Sequence, residues 1–173
     1  GLCGTMSVGK TTLVNALKER PEFKDYMFRT ERSKELMAQG IPLNTDSTLK
    51  GQTVFLAERT SELMCENVIT DRTVIDVMAF ARASKSMDYI DKEEFINYAK
   101  RFIKEYDYIF YVSPVGVEIE DNGIRETNVD YRDLIDFTIS NLIDVNKYRF
   151  KNLNTLSGST EERIKQMLEV ISL

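Results

Sequence analysis

The chain has 173 residues, 42% of them hydrophobic and 29% charged, with a net charge of −5; this fits one soluble domain with a sizeable core and advertises no broad basic footprint for nucleic acid. No apolar run approaches the roughly 18–20 residues of a membrane span, and no charged-then-apolar leader pattern opens the chain. With no His and only two cysteines, Cys3 and Cys65, there is no zinc-finger pattern, no disulfide framework and no imidazole to activate a thiol, and a cytoplasmic setting is expected.

In chain order, residues 1–4 read as the end of a strand running into a Gly-rich loop. A buried parallel strand usually needs about five residues, so this one is expected to begin ahead of Gly1. Leu13, Val14 and Leu17 predict a helix from Lys10 to Glu19 that Pro21 stops. The stretch 26–30 predicts a second strand, 31–40 a short helix closed by Gly40, and 41–47 a loop. Residues 48–67 read as mostly helical, 67–71 as a short buried strand and 74–84 as another helix. Phe95, Tyr98, Ala99, Phe102 and Ile103 recur at helical spacing, which predicts a helix over about 92–105 with that stripe facing the core. Residues 106–113 form the strongest strand pattern; 114–128 carry turn residues and charge without a period and read as a loop. A helix over about 129–147, a strand at 153–156 and a last helix at 160–172 follow, the last opened by capping-box spacing between Ser159 and Glu162. Strands alternate with helices and no repeat or linker divides the chain, so residues 1–173 are expected to form one α/β domain with a parallel sheet covered on both faces.

The chemistry begins at Gly4-Thr5-Met6-Ser7-Val8-Gly9-Lys10-Thr11-Thr12. Gly4, four intervening residues, then Gly9, Lys10 and Thr11, between a strand and a helix, complete a phosphate-binding loop. Gly4 and Gly9 permit backbone angles that wrap N–H groups around a phosphate, and the helix N-terminus adds partial positive charge. Ser7 belongs to the same cradle, Lys10 can reach the β- and γ-phosphates, and the Thr11 hydroxyl can ligate Mg²⁺. Thr12 is either a further nucleotide contact or simply the next helical residue.

The loop does not say whether the terminal phosphate goes to water or to a second substrate. A GTPase switch should carry Asn-Lys-x-Asp, and Asn146-Lys147-Tyr148-Arg149 lacks the Asp. A motor ATPase should end a strand in Asp-Glu, the Glu polarising water; here Asp71 is followed by Arg72 and Thr73. At the C-terminal edge of a strand, where ligands bind in open α/β sheets, Asp71 can hold Mg²⁺ and Arg72 an anionic or hydroxylated acceptor; the alternative is a helix start capped by Asp71. Glu31, after the second strand, can take the proton of an attacking hydroxyl, or it can be an exposed acid paired with Lys34 one turn on. The segment 114–128 holds Glu118, Glu120, Asp121, Asn122, Gly123 and Arg125, with Tyr131 and Arg132 beyond it. Loops longer than about twelve residues are usually functional or disordered, and Arg125 with Arg132 fits a lid that closes over phosphates; the alternative is a solvated charged loop.

The order of these motifs is that of a known group. Phosphate loop, Glu31-Arg32-Ser33-Lys34, Asp71-Arg72-Thr73, Glu120-Asp121-Asn122-Gly123-Ile124-Arg125 and Leu156-Ser157-Gly158-Ser159-Thr160-Glu161-Glu162-Arg163 together resemble the small AAA-like P-loop domains of bacteria and phages that include the ribosylnicotinamide kinase domain of NAD-regulator proteins. The Asp-Arg-Thr element is also similar to its counterpart in thymidylate and deoxynucleoside kinases. The resemblance covers nearly the whole chain. It implies a three-layer P-loop NTPase fold of the nucleoside-monophosphate-kinase type with a five-stranded parallel sheet, and ATP- and Mg²⁺-dependent phosphotransfer. By motif it assigns Glu31 to the acceptor's proton, Asp71 and Arg72 to the acceptor and Mg²⁺, Arg125 to the lid, and residues 157–160, with Ser157 and Gly158, to adenine. Arg32 and, on the third helix, Gln52 are further candidates for the acceptor. The full thymidylate kinase pattern is absent, so thymidylate is not implied, and without His-x-x-His no fused adenylyltransferase is present in this chain.

The expectation is therefore a kinase for a nucleoside or nucleotide, ribosylnicotinamide-like or deoxynucleotide. Two rivals stand beside it: a kinase acting on a hydroxymethylated base in DNA, which needs a local basic groove, and an ATPase switch that signals to a partner protein, which lacks the water-activating Glu.

Overall fold

The computed structural model describes residues 1–30, 32–116 and 128–171. Its elements follow in the order β1 (Leu2–Cys3), α1 (Lys10–Lys18), β2 (Met27–Arg29), α2 (Ser33–Ala38), α3 (Leu49–Glu62), β3 (Val68–Thr70), α4 (Val74–Ala83), α5 (Tyr89–Ala99), β4 (Ile109–Val112), α6 (Val129–Val145), β5 (Leu153–Leu156) and α7 (Thr160–Ile171). Among the described residues all five strands pair in parallel, as two ladders, β1-β4-β5 and β2-β3. A single bridge between Leu2 and Asp71 joins them, so the strands lie in the order β2-β3-β1-β4-β5. The sheet is five-stranded and parallel as expected, but β1 has only two residues in the ladder and meets β3 at one point.

Alternation along the central strands separates the core into two halves. Leu2, Phe110 and Val112 face Leu13, Val14 and Leu17 of α1 and Ile164 and Met167 of α7. Cys3 and Ile109 face the other way, against Val74, Ile75 and Met78 of α4, Phe95 and Ala99 of α5, and Ile135 and Ile139 of α6. The result is three layers with helices on both faces of the sheet, which satisfies the ladder hydrogen bonds and covers both apolar surfaces.

Several boundaries differ from those read in the sequence. Asp88 caps α5 by accepting the Asp91 N–H (2.8 Å), so that helix begins at Tyr89 rather than near 92. After Ala99 the chain tightens into a 3₁₀ turn over Lys100–Glu105. That changes the rotation per residue, and the expected stripe is only partly buried: Phe95, Ile96, Ala99 and Ile103 enter the core, whereas Tyr98 is exposed and stacks edge-on against Phe102. Beta-4 is shorter than its apolar run, because Tyr106 ends the 3₁₀ turn and puts its hydroxyl on the Val74 N–H (3.2 Å). The capping box of α7 forms as its spacing predicts: the Ser159 N–H donates to Glu162 (2.7 Å) and the Glu162 N–H to Ser159 (3.3 Å).

Candidate functional site

The phosphate loop leaves β1 where the backbone has no room for a side chain. Gly4 adopts φ 153°, and a Cβ there would stand 2.7 Å from the Val112 carbonyl oxygen at the end of β4. The loop then turns through Ser7 (φ 56°) and Gly9 (φ 81°), and Gly9 opens α1 by accepting the Leu13 N–H (2.9 Å). Lys10, almost wholly buried, folds back over the loop and donates to the carbonyls of Gly4 (2.6 Å) and Thr5 (2.7 Å). Burial, and then the charge of Arg72, push its ammonium down to about 8. A cation held in a dry loop and disfavoured there is arranged to gain from an arriving phosphate.

Beta-3 delivers the facing wall. Its end puts Asp71, itself buried, beside the loop, and Thr11 donates to Asp71 Oδ2 (2.6 Å). Asp71 does not cap the following helix: Thr73 does, accepting from the Ile75 N–H (3.1 Å) and completing a capping box with Asp76. Between them Arg72 holds φ 129°, a region that non-glycine residues occupy only when the surroundings enforce it. Its guanidinium lies 5.1 Å from the ring centre of Phe80 and 3.8 Å from Asp76 Oδ1.

Two cavities meet here. One is the mouth of the phosphate loop, lined by residues 6–11, Asp71 and Arg72. The other is apolar, walled by Leu43, Phe55, Val77 and Phe80, with Ser33, Asn44, Gln52, Arg72 and Asp76 also lining it. Arg72 lines both. Gln52, 3% exposed, brings an amide donor and an amide acceptor to the wall of this apolar pocket. A larger cavity, about 390 Å³, lies elsewhere, at the opposite edge of the sheet beside Gly1, Asn67 and Tyr108. It holds none of the phosphate-loop residues and is not the site.

The family model of an AAA domain, AAA_28, matches residues 2–163. The chain belongs to this family. A search of curated protein sequences finds no match. Among solved structures, this AAA domain is similar to deoxyadenosine kinase from M. mycoides with the products dCMP and a flexible dCDP bound, at 16% identity and a TM-score of 0.71 over 99% of this chain and 97% of that one. The same enzyme with bound dCTP gives 17% identity and a TM-score of 0.63, covering 99% and 95%. The YorR protein from Bacillus subtilis, in complex with phosphorylated GDP, gives 19% and 0.55, covering 99% and 94%. These likenesses establish the fold of the AAA domain as that of P-loop nucleoside kinases.

The candidate residues from the sequence divide by place. Ser7, Gly9, Lys10, Thr11, Asp71 and Arg72 line the loop mouth, Gly4 starts the loop behind them with its carbonyl on Lys10, and Arg72 connects the mouth to the second cavity, which Gln52 lines. Thr12 is exposed and does not line the loop mouth. Arg32 does not line the acceptor cavity; it pairs with Glu35 (2.6 Å) and Glu58 (3.2 Å). Arg132 packs by the loop: its carbonyl accepts the Thr5 hydroxyl (2.9 Å), and its guanidinium donates to Pro114 (3.4 Å). Ser157 and Gly158 sit exposed at the start of α7, Ser157 tied on both its N–H and its C=O to Gln166 (3.2 and 3.1 Å). Glu31, Arg125 and the acids of the charged segment lie outside the described residues.

Four residues of this AAA domain's site have no role assigned from the sequence. Phe55 and Phe80 have the chemistry of ordinary core positions. Asp76 stands three residues after Thr73, a capping-box spacing that is its one signal. Arg163, 4% exposed, donates to the Val8 carbonyl (2.7 Å) from α7 and packs 3.3 Å from where a Gly9 Cβ would be. A polar residue on the apolar stripe with Ile164 and Met167 was its one signal. Because Arg163 fixes a loop carbonyl from behind, Arg163→Ala is expected to weaken ADP binding roughly tenfold, the worth of one charge-assisted bond. Calorimetric titration checks this.

Proposed function

We propose that this AAA domain is an ATP- and Mg²⁺-dependent phosphotransferase that moves the γ-phosphate to a nucleoside or nucleotide. The observation that carries the reading is the sharing of Arg72 by the phosphate loop and a second, apolar cavity. A machine that transfers to water has no use for a pocket at that point. Phe55, Phe80 and the Gln52 amide suit a nucleobase, whose faces are apolar and whose edge offers both donors and acceptors. The names of the similar structures, a deoxyadenosine kinase with deoxynucleotides bound and a protein with phosphorylated GDP, agree with that class.

In this reading ATP lies on residues 4–11, with adenine toward Ser157 and Gly158. Thr11 and Asp71, a hydroxyl and a carboxylate 2.6 Å apart, suit a hard, oxygen-preferring ion. Among the described residues no cluster of three or more His, Cys, Asp or Glu surrounds them, so the ion would draw its other ligands from phosphate and water. When bound, Mg²⁺ neutralises charge on the phosphates. Arg72 stands where the transferred group passes and offers charge-assisted bonds to it or to the acceptor. Glu31 is assigned the acceptor proton and Arg125 and Arg132 the closing lid. The acceptor cavity encloses about 50 Å³, well under the roughly 300 Å³ at which ligand pockets begin, so acceptor entry moves α2 and its following turn away from α3 and α4.

Labelled ATP offered to a panel of nucleosides and nucleotides, to hydroxymethylated DNA and to water decides the matter. Transfer to a nucleoside or nucleotide well above release to water is expected. Faster release to water supports the ATPase switch instead, and transfer only to DNA, weakened by salt, supports the DNA kinase. Glu31→Gln is expected to lower kcat by about 10²–10⁴, the range for a general base, without a matching change in ATP affinity. Transfer at full rate removes Glu31 from the mechanism.

A further inference from the structure

Asp76 is fully buried, and the reaction as proposed gives it no task. Its two oxygens face different parts of the site. Oδ2 accepts the Thr73 N–H (2.7 Å) and the Thr73 hydroxyl (3.1 Å), which holds the Asp-Arg-Thr turn. Oδ1 accepts the Gly4 N–H (3.1 Å), 72 residues back in the chain, and lies 3.8 Å from the Arg72 guanidinium. The other side of Gly4, its carbonyl, receives Lys10 (2.6 Å). One carboxylate oxygen thus stands between the first residue of the phosphate loop and the Arg that lines the acceptor cavity, and Asp76 itself lines that cavity.

We propose that Asp76 is a positioning residue that couples acceptor binding to nucleotide binding, its Oδ1 being shared between the Gly4 amide and Arg72. An acceptor that draws the Arg72 guanidinium onto its own oxygens removes a competitor for Oδ1. The Gly4 bond then strengthens, because a carboxylate oxygen relieved of a cation is a better acceptor, and the loop is held in its phosphate-binding form. The coupling is reciprocal by linkage: nucleotide must tighten acceptor by the same factor. This inference rests on the two-substrate reading above.

The probes are ADP with Mg²⁺ and deoxyadenosine, each titrated into the full chain alone and with the other saturating. In the wild type each ligand is expected to tighten the other about fivefold or more, within the usual range for coupled sites. Asp76→Asn keeps an oxygen for Gly4 and loses the charge that Arg72 answers, so both ligands still bind and the factor falls to about one. Thr73→Val, which removes the helix cap and leaves the Gly4–Asp76–Arg72 arrangement, lowers Tm and keeps the coupling; a purely structural role for Asp76 would make the two variants alike. Should Asp76→Asn not fold, the wild type answers alone. Cys3-Gly4 is the one Cys-Gly peptide in the chain, so ¹³C-carbonyl Cys with ¹⁵N-Gly isolates the Gly4 amide. Deoxyadenosine without nucleotide is expected to shift that resonance downfield. An unmoved Gly4 amide with deoxyadenosine bound, or unchanged coupling in Asp76→Asn, overturns the proposal and leaves the kinase reading standing. Failure of the wild type to bind either ligand overturns both.

Discussion

Arg72→Gly is expected to leave the fold about as stable as before while lowering kcat/KM by about 10²–10³, the effect of removing one preorganised donor from a developing charge. The two halves of this expectation have separate causes. At φ 129° an L side chain strains the backbone by about 1–3 kcal/mol, and glycine releases that strain. Against it stand the contact with the Phe80 ring at 5.1 Å, worth about 0.5–2 kcal/mol, and the longer ion pair with Asp76 at 3.8 Å. Asp76 keeps its bonds from Gly4 and Thr73 when the guanidinium leaves. These named terms nearly cancel. Arg72→Ala loses the same contacts and keeps a Cβ in the strained turn, so it should be less stable than Arg72→Gly by about 1 kcal/mol. Calorimetric Tm values ordered alanine below glycine, with both variants equally inactive, would show that the turn is strained in order to aim the guanidinium. Glycine as the less stable of the two would show that the turn accommodates Arg72 without strain.

What the sequence made legible here is local. A phosphate loop needs glycines where the backbone turns left-handed or meets another chain segment, and a Lys and a Thr at its helical end, so Gly4, Gly9, Lys10 and Thr11 stand at fixed spacing. Leu13, Val14 and Leu17 follow from one helical period, and Ser159 with Glu162 from a three-residue cap. The parallel sheet follows from alternation of strands and helices. What stayed hidden is what the fold brings together from afar. Asp76 reaches Gly4 across 72 residues and Arg163 reaches Val8 across 155, and no periodicity encodes either. Phe55 and Phe80 have the chemistry of core residues, and only the cavity between α3 and α4 distinguishes them. Tyr98 was misplaced for a subtler reason: the helical period was right, but within α5 the buried positions are Phe95, Ile96 and Ala99, which leaves Tyr98 at the margin of the buried face, and the period itself ends at Ala99 where a 3₁₀ turn takes over. Arg32 shows the same limit from the other side: a motif position can be held by ion pairs, here to Glu35 of α2 and to Glu58 of α3, which lies 26 residues on.

Lys10→Met is expected to abolish nucleotide binding and phosphotransfer, by at least about 10³-fold for a charge that works on transferring phosphates, while raising the stability of the ligand-free protein. Lys10 is a liability without phosphate: burial and the neighbouring Arg72 lower its pKa from 10.5 to about 8. The unfolded chain therefore holds the proton more tightly than the native one. Below about pH 8 both forms are charged and the native state bears the full penalty. From about 8 to 10.5 the native Lys10 gives up its proton first, so ligand-free stability rises with pH through that window. Methionine has nearly the same length, removes the buried charge and should abolish this rise. The carbonyls of Gly4 and Thr5 lose their donor in the exchange, which offsets part of the gain. Thermal denaturation of both proteins from pH 7 to 10, with and without ADP, tests the argument. The expected pattern is a higher Tm for Lys10→Met at pH 7, convergence of the two toward pH 10, and an ADP-induced increase in the wild type alone. Parallel pH profiles would mean that the loop carbonyls solvate Lys10 as well as water does, and the ammonium would then be held in the loop without the stored penalty that phosphate relieves.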